Sequence, residues 1–284
     1  VSDFPTAPSS IDGDIRWGPD NAKCIIIALH GLNDYAMSFD AAAEAWAKRG
    51  ICTYALNQQG FGVHQSPRWP GDMVLVRDVH SVMERVRAHH SGVPICLLGE
   101  SIGAAVAVLA TTIDDGIPPA GLILSAPAIR PKNAIPLYQR AAGWFIARFI
   151  PNLTVSRNIM ASDATDNIAQ LRKMNDDANI SDHIRLATFV GVGRLMAAAY
   201  LRLFRVTVPT LILRGERDKI IPPVDISRVF NALSKSQSDV DLINYPAGYH
   251  LLFRDLQAQK VIDDVGIWIE RAILCEDYTN NSRR

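Results

Sequence analysis

A serine, a carboxylate and a histidine can together cleave an acyl bond, and in this chain each follows an apolar run. Ser101 stands in Gly99-Glu100-Ser101-Ile102-Gly103. The run Val93-Pro94-Ile95-Cys96-Leu97-Leu98 precedes it, and Ala104-Ala105-Val106-Ala107-Val108-Leu109-Ala110 follows. That order reads strand, sharp turn, helix, with the serine at the apex, the setting of a nucleophile elbow. An apex serine needs a strained backbone, and glycines two residues away on each side leave room for it. The five residues alone would arise by chance in roughly one chain in ten of this size, so their weight comes from the rest of the chain.

An attacking serine needs a base, and the base needs an orienting acid. In chains with this elbow the order is serine, acid, histidine. The run Thr210-Leu211-Ile212-Leu213 ends in Arg214-Gly215-Glu216-Arg217-Asp218, and the next apolar run leads to Pro246-Ala247-Gly248-Tyr249-His250. Asp218 and His250 therefore sit past strand ends, on the edge where Ser101 stands. Asp218 would hold the His250 tautomer, and His250 would take the Ser101 proton. Glu216 is the rival acid, nearer the strand end. The oxyanion needs two N–H donors. Ile102 would supply one from the head of the elbow helix, and Leu32 the other from His30-Gly31-Leu32-Asn33-Asp34. His30 is expected to orient that loop by hydrogen bonding.

These residues need a scaffold. Cys24-Ile25-Ile26-Ile27-Ala28-Leu29 and Ile51-Cys52-Thr53-Tyr54-Ala55-Leu56 are continuous apolar runs, expected for strands buried on both faces. Further strands are expected at 120–125, 209–214 and 240–245, with a short one near Ile15-Arg16-Trp17. Helices are expected over 38–49, 72–90 and 256–274. Strands alternating with helices predict an α/β fold with a mostly parallel, doubly wound sheet, whose strand ends carry the site. Residues 126–206 break the alternation with helical periodicity and no convincing strand. We expect residues 1–125 and 207–284 to form the core and residues 126–206 an inserted helical cap or lid.

The chain has 284 residues, enough for one large core plus such an insertion. Its 29 basic residues balance 29 acidic ones, which gives no reason to expect a nucleic-acid partner. No apolar run approaches the ~20 residues of a membrane span. The first residues do not read as a signal peptide, so a cytoplasmic location is expected. The chain does not begin with Met, which leaves a removed signal open. Of the four cysteines, Cys24, Cys52 and Cys96 fall in core runs, and their spacing fits no metal site.

At this point the chain resembles the α/β-hydrolase fold, and within it the monoacylglycerol lipase and lysophospholipase branch grouped with serine aminopeptidases. The resemblance rests on His30-Gly31-Leu32, Gln59-Gly60-Phe61-Gly62, the elbow, the run Val208 to Asp218 and the run Tyr245 to Phe253. There are departures. Where the family usually has Asp-x-Arg-Gly-His-Gly this chain has Asn57-Gln58-Gln59-Gly60-Phe61-Gly62. Ile102 replaces the usual Met, and Asn175-Asp176-Asp177 replaces an Asp-Pro pair. The resemblance implies a serine hydrolase cleaving esters of single-acyl lipids, monoacylglycerols or lysophospholipids, with no metal or cofactor. It also implies transient membrane or micelle contact through the cap.

An apolar cap over such a site suggests an acyl tunnel, with Trp144, Phe145, Phe149, Phe189 and Met196 as its candidate lining and Trp69 as either a wall of the pocket or the anchor of its own loop. A short-chain or aromatic carboxylesterase on the same triad is the alternative. A non-hydrolytic binding protein on this fold is a further one. An aminopeptidase would need an acidic pocket for the substrate amine, and the cap holds no concentrated acidic cluster.

Overall fold

The centre of the molecule is made by strands of unbroken burial. Cys24–Leu29, Ile51–Leu56, Ile95–Glu100 and Gly121–Ser125 are buried at every residue. The computed structural model describes residues 9–11, 14–64, 66, 68–113, 117–134, 136–150, 152–156, 163–236 and 239–275. In chain order the strands are β1 (Ser9–Ile11), β2 (Asp14–Trp17), β3 (Cys24–Leu29), β4 (Ile51–Leu56), β5 (Ile95–Glu100), β6 (Gly121–Ser125), β7 (Thr154–Ser156), β8 (His183–Arg185), β9 (Thr210–Gly215) and β10 (Val240–Tyr245). The helices are α1 (Asp40–Lys48), α2 (Asp72–His89), α3 (Ile102–Thr112), α4 (Leu137–Phe149), α5 (Ile168–Asp176), α6 (Leu186–Tyr200), α7 (Pro223–Leu233) and α8 (Ala258–Ala272).

One sheet takes the order β1-β2-β4-β3-β5-β6-β9-β10. From β4 to β10 every pairing is parallel, and β1 and β2 add an antiparallel edge. The pleat sorts side chains between two layers. Ile25, Ile27 and Leu29 of β3 join the core under α2, α3 and α7. Cys24, Ile26 and Ala28 join the core under α1 and α8. This is the doubly wound sheet expected from the sequence. Cys24, Cys52 and Cys96 are buried free thiols.

The excursion between β6 and β9 holds α4, α5 and α6. It also holds one feature against expectation, a short antiparallel pair of β7 with β8 in which Val155 faces Ile184. Three-residue strands are too short to show a period of two. The reading of the sequence also passed over α7, although Ile226, Val229 and Leu233 carry its buried face. Within the excursion, α6 packs on α3.

Candidate active site

The elbow is held by contact as well as by conformation. Ser101 has φ 57° and ψ −116°, between β5 and α3. A non-glycine residue in that region stores about 1–3 kcal/mol of strain, which the surrounding fold must enforce. A Cβ on Gly99 would lie 2.4 Å from the Ala104 nitrogen, and one on Gly103 would lie 2.2 Å from the Leu29 oxygen. Only glycine lets the turn seat itself on β3. The Ser101 N–H donates to the Ser125 carbonyl at 2.9 Å, and the Ala128 N–H donates to the Ser101 carbonyl at 3.0 Å.

His250 and Asp218 meet across two loops that leave neighbouring parallel strands, β10 and β9. The imidazole Nδ1 lies 2.8 Å from Asp218 Oδ2, with both side chains nearly buried. The other carboxylate oxygen accepts the N–H of Ile220 at 2.7 Å and of Ile221 at 3.0 Å. A carboxylate with these partners is fixed in place, and it directs the free His250 Nε2 away from itself. Glu216, the rival acid, is exposed. Its N–H donates to the Tyr245 carbonyl, which keeps the β9 and β10 ends together.

Ser101, His250, Leu32 and Ile102 all line one cavity of about 380 Å³, within the ~300–1,000 Å³ range of ligand pockets. Ile102 is the first residue of α3, where a helix N–H has no intrahelical acceptor. Phe189 and Met196 reach the cavity from α6. Phe145, Phe149 and Trp69 are not among its lining residues. Phe145 and Phe149 are 54% and 59% exposed and pack against each other on α4. The side chain of Trp144 lies outside the described ones. Trp69 is an anchor instead of a wall. It stacks edge-on with Phe61, donates from Nε1 to Asp72 Oδ1 at 3.0 Å, and lies so close to Gly191 of α6 that a Cβ there would meet its ring at 2.4 Å.

His30 is buried and serves the loop. Its Nδ1 lies 2.9 Å from the Gly31 carbonyl, and its Nε2 accepts the Gln58 N–H at 3.1 Å. Those partners require the neutral ring protonated on Nδ1, and burial lowers its pKa in agreement. Gln58 returns a bond from Nε2 to the His30 carbonyl at 2.8 Å, and Asn57 Oδ1 accepts the Ala36 N–H at 3.0 Å. The departure at residues 57–62 is thus an uncharged clamp on the same loop.

A second cluster was not visible in the sequence. Arg254 Nη2 lies 2.7 Å from both Asp34 Oδ2 and Glu100 Oε2, and the three side chains are 6%, 5% and 1% exposed. Burial alone would lower the Arg254 pKa, but Asp34 and Glu100 outweigh it and raise it further. Burial raises the Glu100 pKa despite the guanidinium beside it. The cluster joins the loop of Leu32, the residue before Ser101 and the segment after His250. The only sequence signal was position, since Glu100 adjoins the serine and Arg254 follows the histidine by one helical turn.

The excursion is tied to the same loops. Asn33 Nδ2 donates to the Ser181 carbonyl at 2.8 Å, and the Ser181 N–H donates to Asn33 Oδ1 at 3.1 Å. Tyr35 donates to Asp177 Oδ2, and burial together with this contact pushes the phenol up to about 12. The N–H groups of His250 and Leu251 both donate to the Ala164 carbonyl, at 3.1 and 2.9 Å.

Known proteins resemble this chain in sequence and in fold. The family described as serine aminopeptidase, S33, matches residues 20–257. A monoacylglycerol lipase of Mycolicibacterium smegmatis is 24% identical over 89% of this chain and 90% of its own length. A monoglyceride lipase of Rattus norvegicus is 26% identical over 90% of this chain and 86% of its own. The crystal structure of a Paleococcus ferrophilus monoacylglycerol lipase superimposes with a TM-score of 0.74 at 21% identity, covering 91% of this chain and 98% of that one. The fold is that of the α/β-hydrolases.

Proposed function

Because the chain belongs to the serine aminopeptidase S33 family of α/β-hydrolases, we propose that it cleaves the ester of single-acyl lipids, monoacylglycerols or lysophospholipids, through Ser101, His250 and Asp218. As Ser101 Oγ attacks the ester carbonyl, His250 Nε2 takes its proton. The oxyanion rests against the N–H groups of Leu32 and Ile102, and loss of either donor would cost about 2.7–4 kcal/mol of barrier. His250 returns the proton to the leaving alcohol. It then activates the water that frees the acid from Ser101. Asp218 stays ionised, holds the tautomer and stabilises the imidazolium.

The observation that carries this reading is the Asp218–His250 pair opening on the same cavity as the strained Ser101. The choice of a lipid rests on the apolar walls from α6 and on relatives named as monoglyceride lipases. Residues 126–206 act as the cap. Leu137, Tyr138, Phe145 and Phe149 of α4 stand exposed on it and suit brief contact with a membrane or micelle. No helix among the described residues is long and apolar enough to cross a membrane.

The test is hydrolysis of p-nitrophenyl esters from acetate to palmitate by wild type and Ser101→Ala. The expected result is a preference for medium or long chains and a loss of more than about a thousandfold in the variant. A preference for acetate or butyrate would move the assignment to a short-chain carboxylesterase. No hydrolysis by wild type would remove the catalytic reading.

A further inference from the structure

The cavity beside Ser101 carries one charge that the proposed reaction does not use. Arg130, in the segment leaving β6, is among its lining residues, and its side chain is 23% exposed. Its Nη2 lies 3.0 Å from Asp225 Oδ2, and the other oxygen of Asp225 lies 2.8 Å from Arg228 Nη1. Asp225 is 3% exposed, so its single carboxylate serves two guanidiniums and one unit of positive charge is left over. Arg228 is 40% exposed and meets water. Arg130 meets the cavity, and its Nε is buried without a hydrogen-bond partner among the described residues. Asp34 also lines the cavity, but its side chain is 5% exposed and its Oδ2 is paired at 2.7 Å with Arg254, a guanidinium it shares with Glu100.

A neutral acylglycerol offers nothing to this guanidinium. The Arg130 side chain is 23% exposed and stands among mostly apolar cavity walls, where an oxyanion would meet it with charge-assisted hydrogen bonds in a planar fork. We propose that Arg130 determines specificity by receiving an anionic group, carboxylate or phosphate, on the bound ester, so that charged single-acyl substrates are preferred over neutral ones of equal length. This rests on the hydrolase reading of Ser101. It also disfavours a substrate ammonium, the group an aminopeptidase must accept.

The test uses two matched pairs of substrates. The first is p-nitrophenyl octanoate against p-nitrophenyl hydrogen suberate, whose carboxylate lies at the far end of the acyl chain. The second is monodecanoylglycerol against decanoyl lysophosphatidate, whose phosphate lies on the alcohol. Wild type, Arg130→Met and Arg130→Lys are compared by kcat/KM. In at least one pair the charged-to-neutral ratio should fall about tenfold or more in Arg130→Met, and Arg130→Lys should recover most of it. The pair that responds locates the anion on the acyl or the alcohol side. An unchanged ratio in both pairs, or an equal loss on all four esters, would make Arg130 only a prop for Asp225 and overturn the proposal. If wild type cleaves none of the four, the hydrolase reading fails instead. The compounds then stay intact and calorimetric titration decides the matter. Tighter binding of the charged member, lost in Arg130→Met, keeps the anion site, and equal affinities remove it.

Discussion

Two ion clusters border the same cavity with inverse composition. In one, a single guanidinium, Arg254, lies between the carboxylates of Asp34 and Glu100. In the other a single carboxylate, Asp225, lies between the guanidiniums of Arg130 and Arg228. The first is nearly buried throughout, with Asp34 at the edge of the cavity. The second is dry only at its centre, and both arms reach outward. A nearly closed cluster chiefly holds the chain together, because its charges are spent on one another. An open one can trade its solvent contacts for a ligand. The difference lies less in the charges than in where the water stops.

The largest effect that would break this contrast is expected at Arg254. Arg254→Met leaves two buried carboxylates unpaired, and urea denaturation should show a loss of about 3–5 kcal/mol. A loss below about 1 kcal/mol would mean the cluster is hydrated and the contrast false. The matching removal of the central residue on the other side, Asp225→Asn, should cost only about 1–2 kcal/mol, because both freed guanidiniums reach solvent. Equal losses in the two variants would erase the distinction. Arg228→Met, at a partly exposed arm, should cost less than about 1 kcal/mol by the same assay.

The smallest effect is one of pH. Burial raises the Glu100 pKa above its ordinary value of 4.5. The folded state then holds this proton more tightly than the unfolded one, so the contribution is full below about pH 4.5 and is lost as pH rises through the folded pKa. Glu100→Gln keeps a neutral side chain throughout. Its stability relative to wild type should therefore improve between pH 4 and pH 7, by denaturation at each pH. A difference independent of pH would show that Glu100 titrates as it does in the unfolded chain. His30 runs the other way. Burial lowers its pKa, so its contribution is full above about pH 6.5 and is lost as pH falls through the folded pKa.

The scaffold was legible because it is local. β3 and β4 declare themselves as unbroken apolar runs, and Asp218 and His250 could be placed because each lies just past the end of such a run. The ion clusters were not legible in this way. Residues 34, 100 and 254 converge only after the sheet is wound, and hydropathy treats each as a surface charge. Aromatic residues misled for a related reason. Phe145 and Phe149 have the right chemistry for a tunnel, but residue type does not say which side of a helix meets the cavity. Phe189 and Met196 lie on α6, which packs on α3, and from there they line the cavity. α7 carries a sequence signal of its own, with Pro223 at its start and apolar residues three and four apart at Ile226, Val229 and Leu233.

The paired bonds between Asn33 and Ser181 act as an interlock. One side chain grips both the donor and the acceptor of one residue's backbone, so it cannot release half. Asn33 adjoins Leu32, which lines the cavity, so the bond to Ser181 reaches the site through one peptide. The loop that carries Leu32 is therefore pinned from outside as well as from within, and its position depends on where the excursion places Ser181.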